Sequence, residues 1–476
     1  LASLVGDVSA ELSSERTFWI RDNLGHEQKQ STAQLTIIDH QAALVQDLDA
    51  LPSVTDGANW TDELLARYAS IKPTVLKMQD RLERYGPAVS YTQREATFRK
   101  QFVYWLNFLS EYRIDAFIGS NVPHEVVDYV IAEICEVLGI RTLFFYQWTP
   151  DLLLPFTSYN TLGDQSTRPA ARLTATDRSL LDSINERIAK QQRGIEAARP
   201  FYMESGNISR QRQQLERHWS TRAVNKVLTN WRRMFSRSGM NYAKFLLVDK
   251  KFLRPRQDRA YVDRYASIAE ANPDLTAPYI YLALHYQPEA TTSPLGGVFV
   301  DQYLMVDVLL AAFPPEVRIY VKEHPAQRLI GRGEQYYDLL AKSPRVHFIA
   351  TQVSSADLQG SALAVATVTG TVGFESMWKG IPVLAFGHTY YLGGPGVYFI
   401  QSVADACRAA AEIQEGVHRK QDAETFTRDL VDRALPANCD SYYHDNSVLG
   451  LPVAHNVRVI REEIVARFIA PASPPK

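Results

Sequence analysis

Four short stretches in the second half of the chain carry ionisable and small polar residues of the kinds that hold a phosphate ester. Lys322-Glu323-His324-Pro325 presents an ammonium and an imidazole two residues apart, a pair able to neutralise phosphate oxygens. Thr369-Gly370-Thr371-Val372-Gly373-Phe374-Glu375 combines hydroxyls and free backbone N–H groups ahead of a short helix, which is a ready anion site. Gly370 and Gly373 leave room for close backbone approach, and Glu375, one turn into that helix, is spaced to accept from a ribose diol. His285-Tyr286-Gln287-Pro288-Glu289 and Gly387-His388 add further polar groups. Read together, these residues describe a nucleotide phosphate ester held without a metal ion. Each fragment alone has a plainer explanation: His-Pro as a turn, Gly-Thr-Val-Gly as a tight strand-to-helix connection, Glu289 as a surface carboxylate. Their coincidence on one edge carries the functional reading.

That edge follows from the elements around them. Apolar runs at Tyr279–Leu284, Val317–Val321, Val346–Ile349, Leu363–Val368 and Val383–Phe386 alternate with helical patterns at Gln302–Ala312, Glu334–Ala341, Ser354–Leu358, Val372–Lys379 and Val403–Gln414. Strands alternating with helices through short loops predict a doubly wound parallel sheet, whose ligands bind outside the carboxyl ends of the strands. The polar clusters follow four of these five runs. A smaller unit upstream repeats the layout: Ile114–Gly119 as a strand, Ser120 to His124 as a loop, Val126–Leu138 as a helix, and Arg141–Tyr146 as the next strand. It sets His124 and Glu125 beyond a strand end, where a loop can project polar side chains from the sheet edge. Capping of the Val126 helix is the alternative for these two residues.

The rest of the chain bounds the answer. At 476 residues, 46% hydrophobic and 22% charged, it is too long for one core. The expected division is 1–160, an N-terminal α/β domain with a helical first part read from Gln41–Leu51 and Asp62–Tyr85; 161–272, a basic helical insertion or bridge; 273–440, the nucleotide-binding domain; and 441–476, a helix and tail. From Arg168 to Arg259 there are 21 Lys and Arg against 8 Asp and Glu, so a net charge of −2 conceals a local +13. Such a stretch is either a solvated face or a surface for an anionic membrane or glycan. Nucleic acid is disfavoured, because aromatics are not interleaved as stacking platforms. Cys135, Cys407 and Cys439 lie too far apart for a disulfide framework or a zinc quartet, which fits a reducing compartment. No apolar run reaches the ~18 residues of a membrane span. The chain has no P-loop, no Gly-x-Gly-x-x-Gly after a strand, no His-Glu-x-x-His and no Gly-x-Ser-x-Gly. Asp47-Leu48-Asp49 has a metal-holding Asp-x-Asp spacing but sits in a helix-like stretch rather than after a strand. No metal ligand set and no cofactor are expected.

With the motifs in place, the chain resembles the capsule polysaccharide biosynthesis family of glycosyltransferases, which includes bacterial β-Kdo transferases. The likeness runs through His285–Glu289, Lys322–Pro325, Thr369–Glu375, then Gly380-Ile381-Pro382-Val383-Leu384-Ala385-Phe386-Gly387 and Tyr390-Tyr391. The His-Pro element is also similar to that of bacterial sialyltransferases. It is weaker over Ile114–Trp148, where Pro123-His124-Glu125 carries it, and absent from residues 1–90 and the basic stretch. The resemblance implies a GT-B-like α/β fold, two facing Rossmann-like domains with a helical insertion or bridge. It implies donor-binding roles for His285, Gln287, Lys322, His324, Thr369, Gly370, Thr371 and Glu375, with His124, Glu125 and Glu289 as catalytic candidates. The implied reaction is transfer of a sugar, Kdo from CMP-Kdo first, to a glycan or lipid-linked acceptor of capsule or lipopolysaccharide. A UDP- or GDP-hexose transferase, a sugar-nucleotide epimerase and a non-catalytic assembly subunit are the alternatives. The expected setting is the cytoplasm, peripheral to the inner face of its membrane.

Overall fold

The computed structural model describes residues 2–193 and 248–469, apart from 22–31, 33, 46–49, 56, 58–59, 81–88, 165, 167, 249–250, 330–331, 334, 342 and 417–422. Asp47-Leu48-Asp49 and 194–247, the centre of the basic stretch, therefore lie outside the described residues.

The N-terminal half is built on short strands. β1 (Thr17–Arg21) and β2 (Leu35–Asp39) pair in parallel, and a second sheet joins β3 (Ala116–Ile118), β4 (Arg141–Thr149) and β5 (Leu152–Phe156). β3 runs parallel to β4, whereas β4 and β5 form an antiparallel pair with an irregularity between Gln147 and Thr149. The helix Val126–Leu138 has the expected bounds and stops at Gly139, whose φ of +67° is the left-handed value glycine accepts cheaply. Its apolar side packs Val127, Val130, Ile131 and Ile134 against the helices Asp62–Met78 and Tyr91–Glu111. Thr61 and a Ser90–Gln93 capping box start those two helices. A mostly helical first hundred residues is thus a partial description. Thr17-Phe18-Trp19-Ile20-Arg21 and Leu35-Thr36-Ile37-Ile38-Asp39 are β-branched and aromatic runs, and they pair as strands between the helical stretches.

The C-terminal half is one parallel sheet of six strands: β6 (Tyr279–Ala283), β7 (Arg318–Lys322), β8 (Val346–Ile349), β9 (Ala364–Thr367), β10 (Val383–Ala385) and β11 (Val397–Phe399). Their order, β11-β10-β9-β6-β7-β8, is the Rossmann arrangement, with the reversal between β6 and β9. Five of these strands were legible as apolar runs, while β11, only Val397-Tyr398-Phe399, was not. Both faces are covered. Ile280 and Leu282 of β6 join the core formed with the helices Tyr303–Ala312 and Val403–Gln414. Tyr279 and Tyr281, on the other side of the pleat, join Leu358 and Val365.

The halves are joined along one side. Trp148 of β4 packs against Tyr390 and Phe374, with ring centroids 5.0 and 5.6 Å away. Leu153 of β5 exchanges backbone hydrogen bonds with Leu435 at 2.8 and 3.0 Å. The buried Asp151 carboxylate accepts from Asn438 Nδ2, Ser447 Oγ and the N–H groups of Val448 and Leu449 at 2.6–2.9 Å. The last helix, Val453–Ile469, then returns to the core shared with Ala2–Glu11.

Candidate functional site

The loops after β6 and β9 meet at the reversal point of the sheet. His285 Nε2 accepts the Thr369 N–H at 3.2 Å and lies 2.8 Å from Thr367 Oγ1, which itself accepts the Gly370 N–H at 3.3 Å. This pattern puts the ring proton on Nδ1 and makes the Thr367 hydroxyl the donor to Nε2. Burial, reinforced by His324 and Arg332, pushes the His285 imidazole down to about 3. His285 is therefore a neutral brace beneath the Thr369–Thr371 turn. A Cβ on Gly370 would stand 2.7 Å from Thr367 Oγ1 and 3.0 Å from His285 Nε2, so this glycine is required by the brace. Gly373 is required similarly, because a Cβ there would meet Tyr391 Oη at 2.5 Å. The Thr369 hydroxyl donates to the Thr291 carbonyl at 2.8 Å. Its expected place on an anion is thus taken by a loop-to-loop bond.

Thr371 opens the helix Thr371–Trp378, whose N-terminus has no side-chain cap. The first-turn amides and the positive end of the helix thus lie at the carboxyl edge of the sheet. Glu375 sits one turn on, where burial raises its carboxyl pKa against the pull of Gln359 and Lys379.

At the end of β7 the side chains divide. Lys322 is 8% exposed, and its ammonium donates to the Val353 carbonyl at 2.5 Å and Ser355 Oγ at 2.9 Å. Burial lowers its pKa, and no carboxylate pairs with it among the described residues. A buried ammonium held by neutral oxygens has a third N–H and an uncompensated charge for an anion. His324 Nδ1 accepts the Ala326 N–H at 3.2 Å, which places the ring proton of the neutral form on Nε2. Burial lowers the His324 pKa, with Glu323 opposing and Arg332 assisting. Tyr286 lies alongside, with ring centroids 5.6 Å apart.

Gln287 faces inward. Its amide nitrogen donates to the Val300 carbonyl and its oxygen accepts from Arg332 Nη1, so both ends of the amide brace the loop from within. Arg332, buried and prominent in no motif, also donates to the His285 carbonyl and forms a two-point pair with Glu323 at 3.1 and 3.2 Å. One guanidinium therefore holds the loops after β6 and β7 together. Glu289 is exposed and accepts from Thr291 Oγ1 at 3.1 Å.

The N-terminal wall approaches this edge through Val122, which shares an apolar cluster with Leu295; the Leu295 carbonyl in turn accepts the His388 N–H at 2.8 Å. His124 Nδ1 lies 2.6 Å from the Val122 carbonyl, leaving Nε2 on the other side of the ring. Glu125 is the residue at the helix start, yet its side chain makes no cap bond. Its carboxylate instead pairs with His40 Nε2 at 2.7 Å. His40 follows directly on β2, so the carboxyl ends of β2 and β3 converge here. Asp128 accepts the His124 N–H at 3.2 Å, and burial together with the nearby Glu125 charge pushes its carboxyl up to about 7. His40 and Asp128 escaped sequence reasoning, one behind an unrecognised strand and the other inside a helix pattern. Among the described residues no group of three or more His, Cys, Asp and Glu could hold a metal ion, and no helix is long and apolar enough to cross a membrane.

Residues 293–426 match the sequence model of the family described as capsule polysaccharide biosynthesis protein. The capsule polysaccharide modification protein LipA of Neisseria meningitidis serogroup B is 35% identical over 79 residues, 17% of this chain and 11% of LipA. The matched stretch thus spans about a tenth of that relative. Among solved structures, the β-Kdo 2,4 transferase of Thermosulfurimonas dismutans KpsC shares 14% identity over 62% of this chain and 78% of that one, with a TM-score of 0.29. The β-Kdo 2,7 transferase of the same protein shares 18% over 36% and 57%, with a TM-score of 0.20. The likeness to the capsule polysaccharide biosynthesis family thus lies in residues 293–426, the part of the sheet that carries the Lys322 and Thr369 loops.

Proposed function

We propose that the chain is a GT-B glycosyltransferase of bacterial surface polysaccharide biosynthesis, with its donor nucleotide held at the carboxyl edge of the β6–β11 sheet. The observation that carries this reading is the meeting of the His285, Lys322–His324 and Thr369–Glu375 loops around the β6/β9 reversal, the position where such sheets take ligands. The Lys322 ammonium, the His324 Nε2–H and the amides that begin the Thr371 helix would bind the donor phosphate. They would also stabilise the charge that develops on it as the glycosidic bond to the sugar breaks. Glu375 would take the ribose hydroxyls. Protein cations and a helix N-terminus supply the positive charge a metal gives in other transferases, so the reaction is proposed to be metal-independent. Across the cleft, Glu125 and His124 are the candidates to move the acceptor proton, with Glu289 at the mouth.

The donor we favour is a CMP-activated ulosonic acid such as Kdo, transferred to a glycan or lipid-linked glycan. The basic stretch 168–259 would meet anionic membrane lipid, an attraction that should fall steeply between low and physiological salt. A thermal-shift series with CMP-, UDP- and GDP-sugars tests the reading, since a ligand that binds only the folded state raises the melting temperature. A rise with CMP-Kdo supports the favoured donor. A rise confined to UDP- or GDP-hexoses replaces that donor and keeps the site, and no rise with any nucleotide sugar overturns the proposal.

A further inference from the structure

Between the two proposed phosphate ligands stands a residue that faces the other way. Successive side chains of an extended segment leave on opposite faces, so fixing Glu323 also fixes the direction of Lys322 and His324. The Glu323 carboxylate is 4% exposed, and besides Arg332 it accepts from Tyr337 Oη at 3.1 Å and Tyr261 Oη at 3.2 Å. Its Oε1 also accepts the His324 N–H at 2.7 Å, tying the carboxylate directly to the imidazole-bearing residue. Tyr261 belongs to the helix Arg254–Ile268, whose first six residues are the end of the basic stretch. One turn further along, Tyr265 Oη accepts the Glu323 N–H at 2.9 Å and donates to the Ile349 carbonyl at 2.5 Å. One helix thus grips Glu323 at its side chain and at its backbone. Both tyrosine rings are 5% exposed. Each works from behind the loop, and neither hydroxyl hydrogen-bonds to Lys322 or His324.

We propose that Tyr261 and Tyr265 are positioning residues for the donor phosphate, acting through Glu323 to aim Lys322 and His324. The inference rests on the donor site proposed above. It makes the Arg254–Ile268 helix a control point on donor affinity, even though it lies outside the loops that carry the motifs.

Tyr261→Phe and Tyr265→Phe keep the rings, including the stacking of Tyr261 on Tyr337 at 5.0 Å, and remove only the hydroxyls. Nucleotide affinity is measured calorimetrically well below the melting temperature, using whichever of CMP, UDP and GDP binds the wild type best. The measurement is made in the wild-type background and in a His324→Ala background. Each Phe variant is expected to weaken binding about three- to tenfold in the wild type. In the His324→Ala background the further loss should be clearly smaller, because residues that act as one unit are not additive. Wild-type affinity in both Phe variants, with only a lowered melting temperature, would reduce the tyrosines to structural residues and overturn the inference. Losses that multiply independently with that of His324→Ala would overturn it too. If His324→Ala and Lys322→Ala themselves bind as wild type, the donor-site reading fails rather than this inference alone. Should one Phe variant not fold, the other carries the test.

Discussion

The ionisable residues of the two halves are tied down in different ways. In the C-terminal half, the motif loops are bound to one another across strands, by His285 between β6 and β9 and by Arg332 between the loops after β6 and β7. In the N-terminal half, Asp128 reaches back to the start of its own helix, and Glu125 finds one partner in His40 from a neighbouring strand end. The first arrangement fixes geometry at a sheet edge and suits tight, preorganised binding. The second leaves a small cluster whose charge depends on pH, which suits proton transfer. We propose accordingly that binding and chemistry fall to different halves, and the following outcomes break or sharpen that division.

The largest effect is expected on the N-terminal wall. Glu125→Gln and His124→Ala should lower turnover by roughly 10²–10⁴-fold, the range for removing an acid/base group, with nucleotide affinity near wild type. Steady-state kinetics beside calorimetry checks this, and wild-type turnover in both variants would empty that wall of catalysis.

On the C-terminal wall the pattern should invert. Lys322→Ala or His324→Ala removes one charge-assisted contact of about 1.5–3 kcal/mol, so nucleotide affinity should fall about tenfold or more. The melting temperature of the free Lys322→Ala protein should barely move or rise, because a buried ammonium is costly to keep without a counter-charge.

The walls should also differ in the sign of their pH dependence. His285 is held far below its ordinary value, so the unfolded chain binds a proton first as pH falls. Its contribution is whole above about pH 6.5 and is lost as pH drops toward 3. Asp128 is held above its ordinary 3.8, at about 7, so its contribution is whole below pH 3.8 and is lost as pH rises through 7. Denaturant midpoints followed from pH 4 to pH 8 should show a shallower acid loss in His285→Gln and a shallower loss toward neutrality in Asp128→Asn. The smallest expected effect is that of a chelator: turnover should be unchanged by EDTA, and loss restored by Mg²⁺ or Mn²⁺ would mean the phosphate is held differently.

Much of the C-terminal wall was legible because a strand buried on both faces writes itself as an apolar run, and the polar residues that follow it stand out. Lys322, His324 and Thr371 were found by that contrast. What remained hidden has a physical reason. Glu323 and Arg332 are ion-pair partners buried beneath the site, and a buried pair has no periodic signature. Gln287 and Thr369 were recognised as polar at the right edge, but sequence does not tell an inward amide or hydroxyl from an outward one. Tyr261 and Tyr265, behind this same wall, lie in a stretch expected only to be basic and helical, and on the other wall His40 follows a five-residue strand inside a stretch read as helical. Side-chain direction and cross-strand partnership are set by tertiary packing.

The central claim is that the edge at Lys322, His324 and the Thr371 helix recognises phosphate. It is tested most directly by titrating a nucleotide and its own nucleoside, CMP beside cytidine or the matching UDP or GDP pair, into wild type and into Lys322→Ala/His324→Ala. The account predicts that wild type binds the nucleotide far more tightly than the nucleoside and that the double variant loses most of that difference while its affinity for the nucleoside stays the same. A double variant that keeps the full preference for the nucleotide would contradict it.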